Sequence, residues 1–169
     1  MSIRVIAGSL KRRVLKTPIG LATRPTAARV REALFSILGD LESLTVLDLY
    51  AGSGALGIEA LSRGAAHVTF VEYDREASGC IRENLDVLKL TKQTSLLTQE
   101  VERAAASLRS RPERFDLVLC DPPWSFVGDA ATCIPTFAAV LAPTVRVVIE
   151  HPSRHSPSID GFARTDERA

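Results

Sequence analysis

The chain is predicted to fold as an α/β protein, a parallel sheet with helices on both faces. Three observations predict it. From Leu44 onward, strand-like apolar runs alternate with helix-periodic segments. The stretch Thr45–Leu61, TVLDLYAGSGALGIEAL, reads as a short buried strand, a glycine turn and a helix. Phe115–Cys120, FDLVLC, is nearly all apolar, as a strand covered on both faces must be. With 169 residues, a single domain is expected over 1–169. It divides into a basic N-terminal hairpin extension (1–22), a core (23–150) and a polar, weakly patterned tail (151–169), expected as loop or frayed.

The elements follow in order. Residues 3–7 and 13–17 are short β-like runs separated by Gly8 and Ser9, which suggests a hairpin. Pro25 makes Thr23–Arg24 extended, and Thr26 is placed to cap a helix over Ala27–Leu38. Its apolar face is read as Val30, Leu34, Ile37 and Leu38. Val46, Leu47 and Leu49 form the first core strand, and Leu56, Ala60 and Leu61 mark the helix beginning at Ala55. Strands are then expected over His67–Glu72, Ser95–Gln99, Phe115–Cys120 and Val145–Glu150. The intervening helices are Asp74–Leu88, Val101–Arg109 and Asp129–Leu141, the last interrupted or delayed by Pro135.

Composition is that of an ordinary globular protein. No apolar run approaches the roughly 20 residues of a membrane span, and the basic N-terminus lacks the apolar core of a signal peptide. Cys80, Cys120 and Cys133 have no metal-like spacing and read as buried, reduced thiols of a cytoplasmic protein; no metal is expected. Net charge is +1, but its distribution is uneven. Residues 1–31 carry Arg4, Lys11, Arg12, Arg13, Lys16, Arg24, Arg29 and Arg31 and no acid, leaving a body of 13 basic and 20 acidic residues. A basic arm on an acidic body suggests a polyanion held at one end. Arg29 and Arg31 oppose the dipole of their helix, which suggests that they serve another partner.

Gly52, Gly54 and Gly57 match the G-x-G-x-x-G of dinucleotide sites. A purely structural strand–turn–helix gives the same letters. Asp48, four residues before the first glycine, shifts the balance. A carboxylate facing the loop repels a pyrophosphate and suits a ligand that is cationic there, such as S-adenosylmethionine. Ligands of such sheets sit at the carboxyl ends of the strands, where Asp48, Glu72, Gln99–Glu100 and Asp121 fall. Glu72 can accept from ribose hydroxyls or simply close a turn. Glu100 can accept from an adenine amine or cap its helix.

The most specific signal is Asp121–Pro122–Pro123–Trp124, directly after the fourth core strand. Two prolines fix the backbone and aim the Pro122 carbonyl. That carbonyl and the Asp121 carboxylate give two acceptors for one NH2 group, and Trp124 offers a face for a base. Two acceptors on its hydrogens favour a pyramidal nitrogen with an outward lone pair. Asp121 can orient the amine, accept its proton, or both.

The stretches RVIAGSLKRRVL, TRPTAARVREALFSIL, DLYAGSGALGIEALSRGA, VEYDREA and FDLVLCDPPW resemble the RsmD-type 16S ribosomal RNA guanine-N2 methyltransferases of bacteria. The resemblance runs from Arg4 to Trp124. It implies a class I methyltransferase (Rossmann-like) fold, S-adenosylmethionine as donor, and a guanine of 16S rRNA as target, within the small subunit or an assembly intermediate. By this match Asp48, Tyr50, Ala51, Gly52, Ser53, Gly54, Glu72, Tyr73, Glu100, Val101 and Asp121 hold the donor. Asp121, Pro122, Pro123 and Trp124 carry catalysis, and Arg4, Lys11, Arg12, Arg13, Arg24, Thr26, Arg29 and Arg31 contact RNA. A monomer without membrane association is expected. Two departures stand out: Trp124 replaces the family's Tyr or Phe, and the sequence stops about where the family's C-terminal β-hairpin begins. Either the chain is truncated there, with the C-terminal strands missing, or the sheet ends at five strands; the fifth strand would then have an exposed apolar edge. Other readings are a methyltransferase for another amine (adenine N6, cytosine N4 or protein glutamine), an inactive RNA-binding assembly factor, and an NAD-dependent reductase.

Overall fold

The computed structural model describes residues 3–19, 25–152, 154 and 156–168. The basic arm is a two-stranded antiparallel ribbon, β1 (Ile3–Arg4) with β2 (Val14–Leu15), shorter than the two five-residue runs expected. Helix α1 (Pro25–Leu38) follows. The core then alternates β3 (Thr45–Leu49), α2 (Ala55–Ser62), β4 (His67–Val71), α3 (Arg75–Leu88), β5 (Thr94–Leu97), α4 (Val101–Leu108), β6 (Phe115–Cys120), α5 (Val127–Cys133) and β7 (Leu141–Ile149). The five core strands are parallel in the order β5-β4-β3-β6-β7. The chain adds strands on one side of β3, then returns to the other side at β6. The order therefore reverses between β3 and β6, where α/β sheets form their ligand crevice.

Strand alternation divides the core into two layers. Val46, Val68, Phe70, Leu117 and Leu119 pack beneath α1, α2, α3 and the arm residues Val5 and Leu15. Leu47, Leu49, Val71, Val118 and Cys120 pack against α4, α5 and the 3-10 turn Ile134–Val140. All three cysteines are free and buried. No helix among the described residues is long and apolar enough to cross a membrane.

Several boundaries differ from expectation for identifiable reasons. Helix α1 starts at Pro25, which suits the first helical position because proline has no N–H to leave unpaired. Thr26 thus lies inside the helix and is not its cap. The inward face of α1 carries Arg31, Phe35 and Leu38, whereas Val30 and Ile37 point outward and are 45% exposed. The last helix starts at Val127 and tightens into 3-10 geometry at Ile134, one residue before Pro135. β7 begins at Leu141, four residues early, and is an edge of the sheet among the described residues. The segment after it lacks regular structure but is not frayed: Ile159 and Phe162 pack on the second core layer, and Arg164 donates to Pro157 O and pairs with Glu167.

Candidate active site

Asp48 pairs in register with Phe70 of β4 on one side and Leu119 of β6 on the other. Glu72 and Asp121 lie two residues beyond those partners, on the same face and roughly 6–7 Å nearer the carboxyl edge. Three carboxylates from three adjacent strands thus share one end of one face, across the order reversal. Cys120 pairs with Ile149, so Glu150 stands beside Asp121, its N–H donating to Cys120 O at 2.9 Å.

Asp48 is fully buried. Its Oδ2 accepts the Gly57 N–H of α2 at 2.9 Å, and its Oδ1 has no partner among the described residues. Burial holds its carboxyl well above the ordinary range, helped by the nearby charges of Asp121 and Glu72 and opposed by the Gly57 bond. Asp48 is therefore anchored at the start of α2, with one buried carboxylate oxygen left to spare. The approach of α2 to the sheet depends on Gly57, where a Cβ would overlap the Phe70 ring. Gly52 is the contrary case: a Cβ there would meet nothing within 4 Å. Glu72 braces the loop, accepting Gly52 N–H at 2.7 Å on Oε2 and Asp74 N–H at 2.9 Å on Oε1. Each oxygen keeps a second lone pair, so a diol hydroxyl can still be accepted. The orphan oxygen of Asp48, the open space over Gly52 and the spare acceptors of Glu72 fit a ligand with an ammonium or sulfonium at one end and a diol further along.

Tyr50 turns its side chain away from the loop. Alternation would put it on the face of Asp48, but its backbone is left-handed (φ 57°), and its ring packs instead in the second core layer with its hydroxyl buried and unpartnered among the described residues. Only its backbone borders the loop. Ala51 N–H bonds Val71 O at 3.1 Å, and Ser53 and Gly54 are buried. Tyr73 is 65% exposed at the rim. Glu100 is exposed at the start of α4, loosely paired with Arg103, whereas the Val101 side chain is buried in the core. Asp121 is surface-accessible, yet protein crowds its base and Glu150 adds a like charge, and its carboxyl is pushed up to about 7. Pro122 is buried, Pro123 is exposed, and Pro123 O accepts Phe126 N–H at 2.8 Å, closing the turn Trp124–Phe126. The stacking expected of the Trp124 side chain lies outside the described residues.

A family model described as Conserved hypothetical protein 95 matches residues 3–169. The chain belongs to this family. It is the RsmD-type family of class I methyltransferases to which the motifs pointed. The chain is 43% identical over 123 residues to a candidate rRNA methyltransferase of Bacillus subtilis, YlbH, covering 72% of this chain and 67% of that protein. It is 39% identical over 123 residues to ribosomal RNA small subunit methyltransferase D of Escherichia coli, covering 72% of this chain but 60% of the relative. The matched stretch thus spans less than two thirds of the E. coli protein. Among solved structures, a candidate methyltransferase of Escherichia coli is similar with a TM-score of 0.78 and 32% identity, over 95% of this chain and 87% of that one.

In this RsmD-type chain the arm is docked, not loose. Glu59 of α2 is fully buried, accepting Ile6 N–H at 2.7 Å, Ala7 N–H at 3.0 Å and Arg63 Nε at 2.8 Å. Ser62 adds bonds to Ala7 and Leu10. Lys11, Arg12, Arg13 and Arg29 are exposed, and so is Arg4, whose Nη1 donates to Arg12 O at 3.4 Å. Arg31 is not: it is 8% exposed, and its guanidinium donates to Arg4 O, so its charge serves the arm's docking. Arg24 and the Thr26 side chain lie outside the described residues. Sequence reasoning missed Glu59, Ser62 and Glu150. A glutamate amid the apolar residues of ALGIEAL was a usable signal for Glu59; nothing local marked the other two.

Proposed function

We propose that this chain transfers a methyl group from S-adenosylmethionine to the exocyclic N2 amine of a guanine in 16S ribosomal RNA, in the small subunit or an assembly intermediate. The single observation that carries the reading is the placing of Asp48 and Asp121 on neighbouring strands at the strand-order reversal, Asp121 two residues beyond the register partner of Asp48 and close enough to act on its charge. The names of the relatives, rRNA methyltransferases, support the same substrate class.

S-adenosylmethionine, when bound, supplies an electrophilic methyl on its sulfonium. Asp48 and the loop Tyr50–Gly54 would hold its amino-acid end, and Glu72 its ribose. An ammonium near Asp48 favours the ionised carboxylate, offsetting the burial that otherwise disfavours it. Asp121 and the Pro122 carbonyl would hold the two amine hydrogens, turning the nitrogen lone pair outward. Near neutral pH the raised Asp121 carboxyl is poised to take up the proton the amine loses. The exposed arm cations and Arg29 would hold the RNA backbone.

The test is tritium transfer from S-adenosylmethionine to small-subunit particles lacking the modification, followed by nucleoside analysis. The expected product is N2-methylguanosine. Asp121→Ala should cut kcat by about 10²-fold or more, the usual scale for one acid–base group. An unaffected rate, or label on adenine, cytosine or protein, would refute the assignment.

A further inference from the structure

Asn84 of α3 is 4% exposed and belongs neither to the strand ends nor to the arm. Its Oδ1 accepts Lys16 N–H at 2.7 Å, and its Nδ2 donates to Lys16 O at 2.9 Å, as a neighbouring strand would. Nδ2 also donates to Ser53 O at 3.1 Å. Both amide hydrogens are therefore used. Ser53 sits between Gly52 and Gly54, and the peptide that follows it is held at both ends, its oxygen by Asn84 and its Gly54 N–H by Ala51 O at 2.7 Å.

The arm touches α3 elsewhere. Glu76 accepts Ile19 N–H at 2.8 Å, and Lys16 pairs with Glu83, but that pair is more than half exposed and contributes little. Among the described residues, Asn84 alone hydrogen-bonds both the arm and the glycine loop. Gly52 and Gly54, with few steric preferences, leave the loop peptides cheap to reorient. Fixing the Ser53 carbonyl therefore adds, from the arm's side, to the bracing that Glu72 gives the loop at Gly52.

We propose that Asn84 is a positioning residue that couples the basic arm to the donor loop, so that nucleic acid on the arm and ligand in the loop each favour the other's binding. The coupling rests on the functional reading above; the physical link does not. By linkage, the gain must be equal in both directions.

Two measurements on the full chain test it. The first is hydrogen exchange without ligand. Asn84→Ala should deprotect both the Lys16 and Gly54 amides. Asn84→Asp, which keeps an acceptor for Lys16 N–H but cannot donate to Ser53 O, should deprotect Gly54 alone. Unchanged protection of Gly54 in both variants overturns the link. The second is the affinity of a labelled small-subunit rRNA hairpin with and without S-adenosylhomocysteine. Wild type should gain about fivefold or more, the lower end of ordinary site-to-site coupling, and both variants should gain nothing. Equal gains in wild type and variants, or none in wild type, overturn the coupling. Failure of S-adenosylhomocysteine to bind wild type would overturn the coupling together with the functional reading, while the exchange result would still decide the link by itself.

Discussion

Asp121 carries opposing demands. Burial of its base and the charge of Glu150 raise its carboxyl to about 7, while an acceptor for an amine must be ionised. The two effects predict opposite pH trends. A carboxyl raised in the folded state contributes stability that is complete below its unfolded value and is lost as pH rises toward 7. Activity should instead rise through the same range. Glu150→Gln removes the like charge, so the acid limb of the pH–kcat/KM profile should move to lower pH. An unmoved limb would mean that Glu150 does not act on the reacting carboxylate. Glu72 and Asp121 stood out in the sequence because each closes an apolar run, and Asp48 because it is a carboxylate inside one, four residues before the first glycine. Glu150 closes one too, but its neighbour is set by the β6–β7 register, which no local pattern encodes. The direction of the Tyr50 side chain is set by a left-handed backbone that breaks the strand's alternation, which no local pattern announces.

The arm and α2 behave as one element pair. The buried carboxylate of Glu59 replaces the strand that would otherwise satisfy Ile6 and Ala7. The ribbon can lie this close only because residue 8 is glycine: its φ is +80°, and a Cβ would overlap the Ser62 backbone. Gly8→Ala should cost about 1–3 kcal/mol, the usual scale of overpacking, read as a lower denaturant midpoint with faster exchange at Ile6 and Ala7. Unaltered stability and exchange would show that the arm is not seated on α2. At this scale sequence pattern succeeded for the sheet and slipped on α1. The helix turns Arg31 inward to reach Arg4 O and leaves Val30 and Ile37 outside. A count of apolar residues cannot find a face that includes a buried cation.

Across the whole molecule, eight basic residues and no acid fall in residues 1–31 of a chain whose net charge is only +1. The structure seats the described part of that segment on the face that carries the three carboxylates. Polyanion binding should therefore weaken steeply with salt, and neutralising Lys11, Arg12 and Arg13 together should lower the slope of log K against log[salt] by roughly three, about one per lost phosphate contact. A slope unchanged by all three substitutions would exclude the arm as the RNA contact. The order of elements, the parallel sheet and the site edge were readable from rhythm and motif. The docking of the arm was not, because it depends on contacts between residues more than fifty positions apart.

The central claim is that the crevice at the β3–β6 reversal is built for a cationic nucleoside donor. Calorimetric titration of the full chain with S-adenosylhomocysteine and, separately, NADH tests it most directly. The account predicts one site for S-adenosylhomocysteine, weakened at least about tenfold by Glu72→Gln through loss of a charged acceptor, and no heat from NADH. Saturable NADH binding, or S-adenosylhomocysteine binding indifferent to Glu72→Gln, would contradict it.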